Sequence, residues 1–310
     1  MTLPMTVPDP ALPRRVQIYE VGPRDGLQNE AGIVPTEVKR EFIERLVAAG
    51  LRTVEATSFV HPAWVPQLAD AEKLVAQLTL SGPASLPVLV PNERGLDRAL
   101  AAGVRHVAVF ASATETFARK NLNSTLDSQF AMFEPVVVRA REAGLDVRAY
   151  VSMCFGDPWE GSVPVDQVVT TGKRLLDMGA TQLSIGDTIG VGTPGHVATI
   201  CDAFAGVGVG VGSGELAMHF HDTYGQALSN ALAAIQNGIV CLDASAGGLG
   251  GCPYAESATG NLATEDLVWM LTGLGIEHGV DLQSLVDTSV WMAGVLGKEP
   301  ASAVVRALRS

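Results

Sequence analysis

Residues 47–59, "VAAGLRTVEATSF", contain the junction that decides the fold. An apolar helical end runs into Gly50, and a short stretch rich in β-branched and apolar residues follows at once. The same junction returns as "LAAGVRHVAVFAS" (100–112), "REAGLDVRAYVS" (141–152), "LDMGATQLSIGDT" (176–188) and "IQNGIVCLDASA" (235–246). In each, the glycine is expected to cap a helix in the left-handed conformation, which costs other residues about 1–2 kcal/mol. The run after it has the composition of a strand covered on both faces.

Helical stretches separate these junctions. "TEVKREFIERLVAAG" (36–50) sets Val38, Phe42, Ile43 and Leu46 at helical spacing behind Thr36, a residue of capping type. "VDQVVTTGKRLLDMG" (165–179) is a second example. Adding "RVQIYEV" (15–21), "SLPVLVPN" (85–92) and "ELAMHFHD" (215–222) to the five junction strands gives eight strands alternating with helices. That rhythm predicts an α/β fold, a TIM (β/α)8 barrel. A doubly wound open sheet is the alternative, weakened because no GxGxxG follows the first strand. Residues 1–15 are expected to form a flexible N-terminal segment. Residues 16–310 then make one catalytic domain, with additional C-terminal helices after about residue 262.

The chain has 310 residues, 47% hydrophobic and 17% charged, enough for one large core or two modest domains. Its net charge of −12 argues against a nucleic-acid surface, since phosphate backbones attract basic patches. No apolar run is long enough to span a bilayer. The proline-rich start, "MTLPMTVPDPALPRR", lacks a secretory core and is not amphipathic, so a cytoplasmic protein is expected. Cys154, Cys201, Cys241 and Cys252 form no CxxC pair, as in a reducing compartment.

Of six histidines, two stand one residue apart, His219 and His221. On a strand both point to one face and Phe220 to the other. They either share a metal ion, or comprise one buried, hydrogen-bonded imidazole and an exposed neighbour. Parallel barrel strands gather their C-terminal ends on one face, and these ends are polar. They carry Arg24 and Asp25, Glu55 and Ser58, Arg148, Ser184 and Asp187, and the two histidines. Burying so many polar groups is costly unless they are paired or ligated, which favours the metal. Two imidazoles with a carboxylate such as Asp25, and no thiolate set, point to Mg²⁺ or Mn²⁺ ahead of Zn²⁺. Asp25 by itself reads first as a helix cap or turn residue in "GPRDGLQ".

After the last strand comes "ASAGGLGGCPYAESATGN" (244–261). Its glycines permit close approach of backbone to a ligand. Cys252 in this loop is either an inert small apolar residue or a proton donor delivered by loop closure. Asn261 offers an amide oxygen to an ion or caps the next helix.

"VGPRDGLQNE", "VEATSFV", "SIGDTIGVGTPG", "HFHDTYGQALSN" and "GGLGGCPYAESATGNLATED" occur in that order. Over residues 16–290 the chain thereby resembles the 3-hydroxy-3-methylglutaryl-CoA lyases. The Arg-Asp and His-x-His elements belong to a wider superfamily, and the "GGLGGCPYA" loop is more specific. The resemblance implies metal-dependent cleavage of the CoA thioester to acetyl-CoA and acetoacetate. It implies ligation by Asp25, His219, His221 and Asn261, Arg24 at the thioester oxygen and Cys252 as the catalytic loop cysteine. Glu55, Arg148 and Asp187 match active-site positions, with Gln28, Ser58, Ser184 and Thr188 expected to help line the acyl-CoA site. Asp25, His219, Glu55 and a metal-bound water stay open as the base. A homodimer or higher oligomer is the family expectation. "SMCFGDPWEGSVP" (152–164) departs from the cysteine-containing segment of mammalian members, and "VVRALRS" (304–310) carries neither a peroxisomal ending nor a regulatory cysteine. Compartment and regulation are therefore not transferred from those members. Alternative functions are a lyase for a longer 3-substituted 3-hydroxyglutaryl-CoA, an acyl-CoA-condensing synthase, a CoA-independent aldolase and an inactive scaffold.

Overall fold

The computed structural model describes residues 3–251 and 260–309. Nine parallel strand segments are present among them: β1 (Gln17–Glu20), β2 (Thr53–Val54), β3 (Thr57–Ser58), β4 (Val88–Leu89), β5 (His106–Ser112), β6 (Asp146–Ser152), β7 (Gln182–Asp187), β8 (Leu216–Phe220) and β9 (Cys241–Ala244). Their order is β2-β1-β9-β8-β7-β6-β5-β4-β3. The two ends of that order are consecutive pieces of one extended segment, interrupted at Glu55 and Ala56. β2 pairs with β1 and β3 with β4, so the sheet closes on itself. Eight staves result, one of them bent: a TIM (β/α)8 barrel. The interruption is the one departure from eight continuous strands, and Glu55 sits in it.

The five junction glycines, Gly50, Gly103, Gly144, Gly179 and Gly238, have φ between +76° and +111°. At Gly50 a Cβ would also lie 2.2 Å from the Gly279 carbonyl oxygen, so the requirement is steric twice over.

Alternation along each strand separates two environments. Val147, Ala149 and Val151, with Leu183, Ile185, Leu216, Met218 and Leu242, face the helices and join the main apolar core. Arg148, Tyr150, Ser184, Ala217, His219, Cys241, Asp243 and Tyr19 occupy the opposite parity, inside the barrel. The barrel interior is therefore partly polar, and its charges have to be matched within it.

The helix Thr36–Ala48 buries Phe42, Ile43 and Leu46 as its spacing requires, with Val38 half-buried. Thr36 does not cap it: Pro35 holds that position, and Thr36 Oγ1 donates to Asp70 Oδ2 at 2.8 Å. Lys39 on the same helix is buried against Asp70 and the Gln67 carbonyl. After the barrel come helices Thr264–Gly273, Leu282–Leu296 and Ala303–Leu308. The N-terminal segment lies against the C-terminal end of the first of these: Val7 N–H donates to the Gly273 carbonyl at 2.8 Å. No helix among the described residues is long and apolar enough to cross a membrane.

Candidate active site

Three chain segments build the site at the C-terminal mouth. Pro23 opens a single π-helical turn, Gly22–Gly26, directly after β1, and this turn carries Arg24 and Asp25 side by side. β8 ends in His219 and Phe220, with His221 next. The segment returning at residue 260 lies along that end: Leu262 N–H donates to the Phe220 carbonyl at 2.9 Å, and Asp222 N–H to the Gly260 carbonyl at 3.0 Å. An antiparallel bridge consequently sets Asn261 beside His221.

Donor atoms of Asp25, His219 and His221 all lie within 4.8 Å of one another. Asn261 Nδ2 donates to Asp25 Oδ2 at 2.9 Å and to the Leu249 carbonyl at 3.0 Å. Its Oδ1 is buried and meets no hydrogen-bond donor among the described residues. Two imidazoles, a carboxylate and an unused amide oxygen suit a divalent cation with open positions. The residues fit the group, and Asp25, His219, His221 and Asn261 would hold it. Burial pushes the Asp25 carboxyl up, but the Arg24 guanidinium and both imidazoles bring it down to about 2. It is therefore ionised, as a ligand must be.

Arg24 joins this cluster to the barrel floor. Its Nη1 donates to Asp25 Oδ1 at 2.7 Å and its Nε to Glu55 Oε2 at 2.6 Å. Burial opposes its charge, and the two carboxylates more than restore it, so it stays a guanidinium. Tyr150 OH donates to Glu55 Oε1 at 3.2 Å, and the Arg24 guanidinium lies 5.4 Å from the Tyr150 ring centre. Arg148 lies over Tyr19 at 3.9 Å and over Tyr150 at 5.1 Å, and its Nη2 pairs with Asp243 Oδ1. Asp243 Oδ2 accepts from Ser184 Oγ at 2.8 Å and lies 3.2 Å from His219 Nδ1.

Other expected residues are placed as follows. Gln28 is half-buried one turn beyond Asp25. Ser58 Oγ accepts the Val60 N–H at 3.2 Å, a local contact. Thr188 Oγ1 accepts the Met153 N–H at 2.8 Å, joining two loops of the mouth. Asp187 has the parity of Leu183 and Ile185, outside the barrel bore. Its oxygens accept the Val191 and Gly192 N–H groups, both at 2.9 Å, so it organises its own turn. Arg148 is engaged by Asp243 and two rings within the barrel floor. Cys252 lies outside the described residues. Just before the undescribed residues, Asn29 Nδ2 donates to the Gly251 carbonyl at 3.1 Å.

Three acidic residues that sequence reasoning did not select complete the picture. Asp243 sits beneath His219. Glu20 Oε1 accepts the Gly22 N–H at 2.7 Å and the Ala246 N–H at 2.9 Å, while its Oε2 accepts from Thr264 Oγ1 at 2.6 Å. Glu265 accepts the Gly247 N–H at 3.0 Å and a hydrogen bond from Ser289 Oγ. The last two hold the root of the glycine-rich loop. For Glu20 and Asp243 the available signal was a carboxylate among the buried residues of a short strand, in "QIYE" and "CLDA".

Fold and site together define a (β/α)8-barrel enzyme with a candidate divalent-metal centre backed by a buried arginine. The chain belongs to the HMGL-like family, whose profile matches residues 15–291. It is 49% identical over 296 residues to the mitochondrial hydroxymethylglutaryl-CoA lyase of Rattus norvegicus, covering 96% of this chain and 90% of that one. The crystal structure of hydroxymethylglutaryl-CoA lyase from Pseudomonas aeruginosa superposes with TM-score 0.92 at 44% identity, covering 96% of this chain and 98% of that one. An HMG-CoA lyase from Acinetobacter baumannii, solved with coenzyme A and 3-methylmalate, gives TM-score 0.91 at 33% identity over 98% of both chains.

Proposed function

We propose that the protein is a carbon–carbon lyase that cleaves 3-hydroxy-3-methylglutaryl-CoA to acetyl-CoA and acetoacetate, with Mg²⁺ or Mn²⁺ as cofactor. The observation that carries the metal dependence is the convergence of Asp25, His219 and His221 donors within 4.8 Å. The likeness to named lyases over nearly the whole chain supports the substrate.

A retro-Claisen cleavage removes the proton of the C3 hydroxyl, breaks the C2–C3 bond and leaves a ketone and a thioester enolate. The bond pair passes to C2 and the thioester, and the enolate takes a proton at C2 to give acetyl-CoA. When bound, the cation supplies Lewis acidity beside the hydroxyl, easing loss of its proton. Arg24 faces the thioester oxygen as negative charge grows there, stabilising the transition state more than the ground state. Its fixed contacts with Glu55 and Asp25 mean that it need not reorganise. Glu55 serves to hold Arg24: one of its oxygens accepts from Arg24 and the other from Tyr150. Asp25 is the carboxylate of the donor cluster open to receive the hydroxyl proton, since His219 has no second lone pair once one ring nitrogen holds the cation. Cys252 is the proton donor to C2.

The test is to incubate purified protein with the CoA thioester, Mg²⁺ and a thiol reductant and to measure acetoacetate. Release of acetoacetate is expected. No release, with cleavage of a longer 3-substituted homologue run in parallel, would overturn the substrate while keeping the chemistry.

A further inference from the structure

Asp243 is a buried carboxylate with no part in the bond-breaking chemistry, yet it adjoins the donor cluster. The strand register sets it directly opposite His219 on β8 and Tyr19 on β1, so all three side chains enter the barrel bore together. Its Oδ1 is taken by Arg148, and its Oδ2 receives Ser184 Oγ at 2.8 Å and faces His219 Nδ1 at 3.2 Å. Arg148 is itself fixed between the Tyr19 and Tyr150 rings and by Gln182 Oε1.

We propose that Asp243 is the positioning residue that sets the tautomer and orientation of His219, with Arg148 fixing the carboxylate in turn. This rests on the reading of His219 as a cation ligand. An oxygen that already accepts from Ser184 has only acceptor capacity to offer the imidazole, so the ring proton resides on Nδ1. The lone pair is then on Nε2, the nitrogen left for a cation. A ligand histidine backed through its other nitrogen by a carboxylate is more basic and is held in one ring orientation. Continuing around the bore, Arg148 lies over Tyr150, Tyr150 donates to Glu55, Glu55 accepts from Arg24, and Arg24 pairs with Asp25. The two ends of this ring of contacts, His219 and Asp25, are both members of the donor cluster. Asp243 and Glu55 thus do equivalent work, each orienting one functional group from below.

Asparagine at this position isolates the effect. Its amide oxygen pairs with Arg148, which turns its NH₂ toward His219 and demands an acceptor at Nδ1, placing the proton on Nε2. The experiment uses the full chain, metal-stripped, with ¹⁵N-labelled histidine; six histidines give a spectrum in which His219 is assigned by its loss in His219→Gln. Free Mn²⁺ is then titrated by electron paramagnetic resonance into the wild type and Asp243→Asn. Expected are a wild-type His219 protonated at Nδ1, an inverted tautomer in Asp243→Asn, and Mn²⁺ affinity weaker by roughly 10- to 100-fold in that variant. A neutral wild-type His219, measured at a pH above its titration, that carries its proton on Nε2 and not on Nδ1 overturns the proposal, whether or not the variant folds. A folded Asp243→Asn protein that binds Mn²⁺ as the wild type does also overturns it. Wild-type protein that neither binds Mn²⁺ nor releases acetoacetate removes the lyase reading instead, and the tautomer measured without metal still decides the role of Asp243.

Discussion

Arg24 Nε meets Glu55 Oε2 at 2.6 Å, and both side chains are buried. The pair joins the turn after the first barrel strand to the break in the second, so the irregularity at Glu55 is what places the arginine. Arg24→Gln is expected to lower kcat by roughly 100- to 1,000-fold, the scale of losing one oxyanion donor. It also leaves Glu55 buried without its charge partner, which costs about 3–5 kcal/mol of stability in comparable pairs. Steady-state kinetics and thermal melting measure the two effects separately; unchanged kcat would remove Arg24 from the transition state.

Glu20 and Glu265 predict the pH dependence of stability. Burial raises Glu20 from 4.5 to about 7 and Glu265 from 4.5 to about 8, against the hydrogen bonds that each accepts. Both bind their protons more tightly folded than unfolded. Their contribution is therefore complete below about pH 4.5 and is lost as pH rises through about 7 and then 8. For Glu20 the change amounts to about 3 kcal/mol. Glu265→Gln should flatten the upper part of that slope in urea titrations between pH 5 and about 8.5; a slope identical to the wild type would contradict the assignment.

Cys252→Ala is expected to reduce turnover by roughly 100-fold or more, the scale of losing a general acid. Mn²⁺ affinity and melting temperature should stay near the wild-type values. A variant turning over at the wild-type rate would return this cysteine to an apolar filler.

Gly260 precedes Asn261, and a Cβ there would lie 2.0 Å from the Gly248 carbonyl oxygen. Gly260→Ala must push two backbone segments apart, so Asn261 shifts from Asp25 and His221. A loss of about 1–3 kcal/mol is expected from overpacking, together with weaker Mn²⁺ binding. Calorimetry reads both, and tolerance of the methyl group would show that the return segment is not held as described.

Much of this was legible because it is local. Gly50, Gly103 and their counterparts needed only the step from helix to strand, and His219 with His221 needed only the two-residue period of a strand. The long-range pairings were not legible. Nothing near Asp243 in "CLDA" names His219 or Arg148 as its partners, since register across β8 and β9 is a property of the closed sheet. Asp187, a polar group at a strand end, shares the parity of Leu183 and Ile185, and its oxygens accept the Val191 and Gly192 N–H groups. That parity was available in the sequence. The break at Glu55 and Ala56 was not, because both neighbours on the strand are ordinary β formers.

The most direct test of a cation-dependent cleavage is acetoacetate release by the wild-type protein after exhaustive chelation and removal of the chelator. The rate should fall to background and return when Mg²⁺ or Mn²⁺ is added alone. Chelated protein that keeps cleaving the thioester at its original rate would contradict the role of Asp25, His219 and His221 as cation ligands.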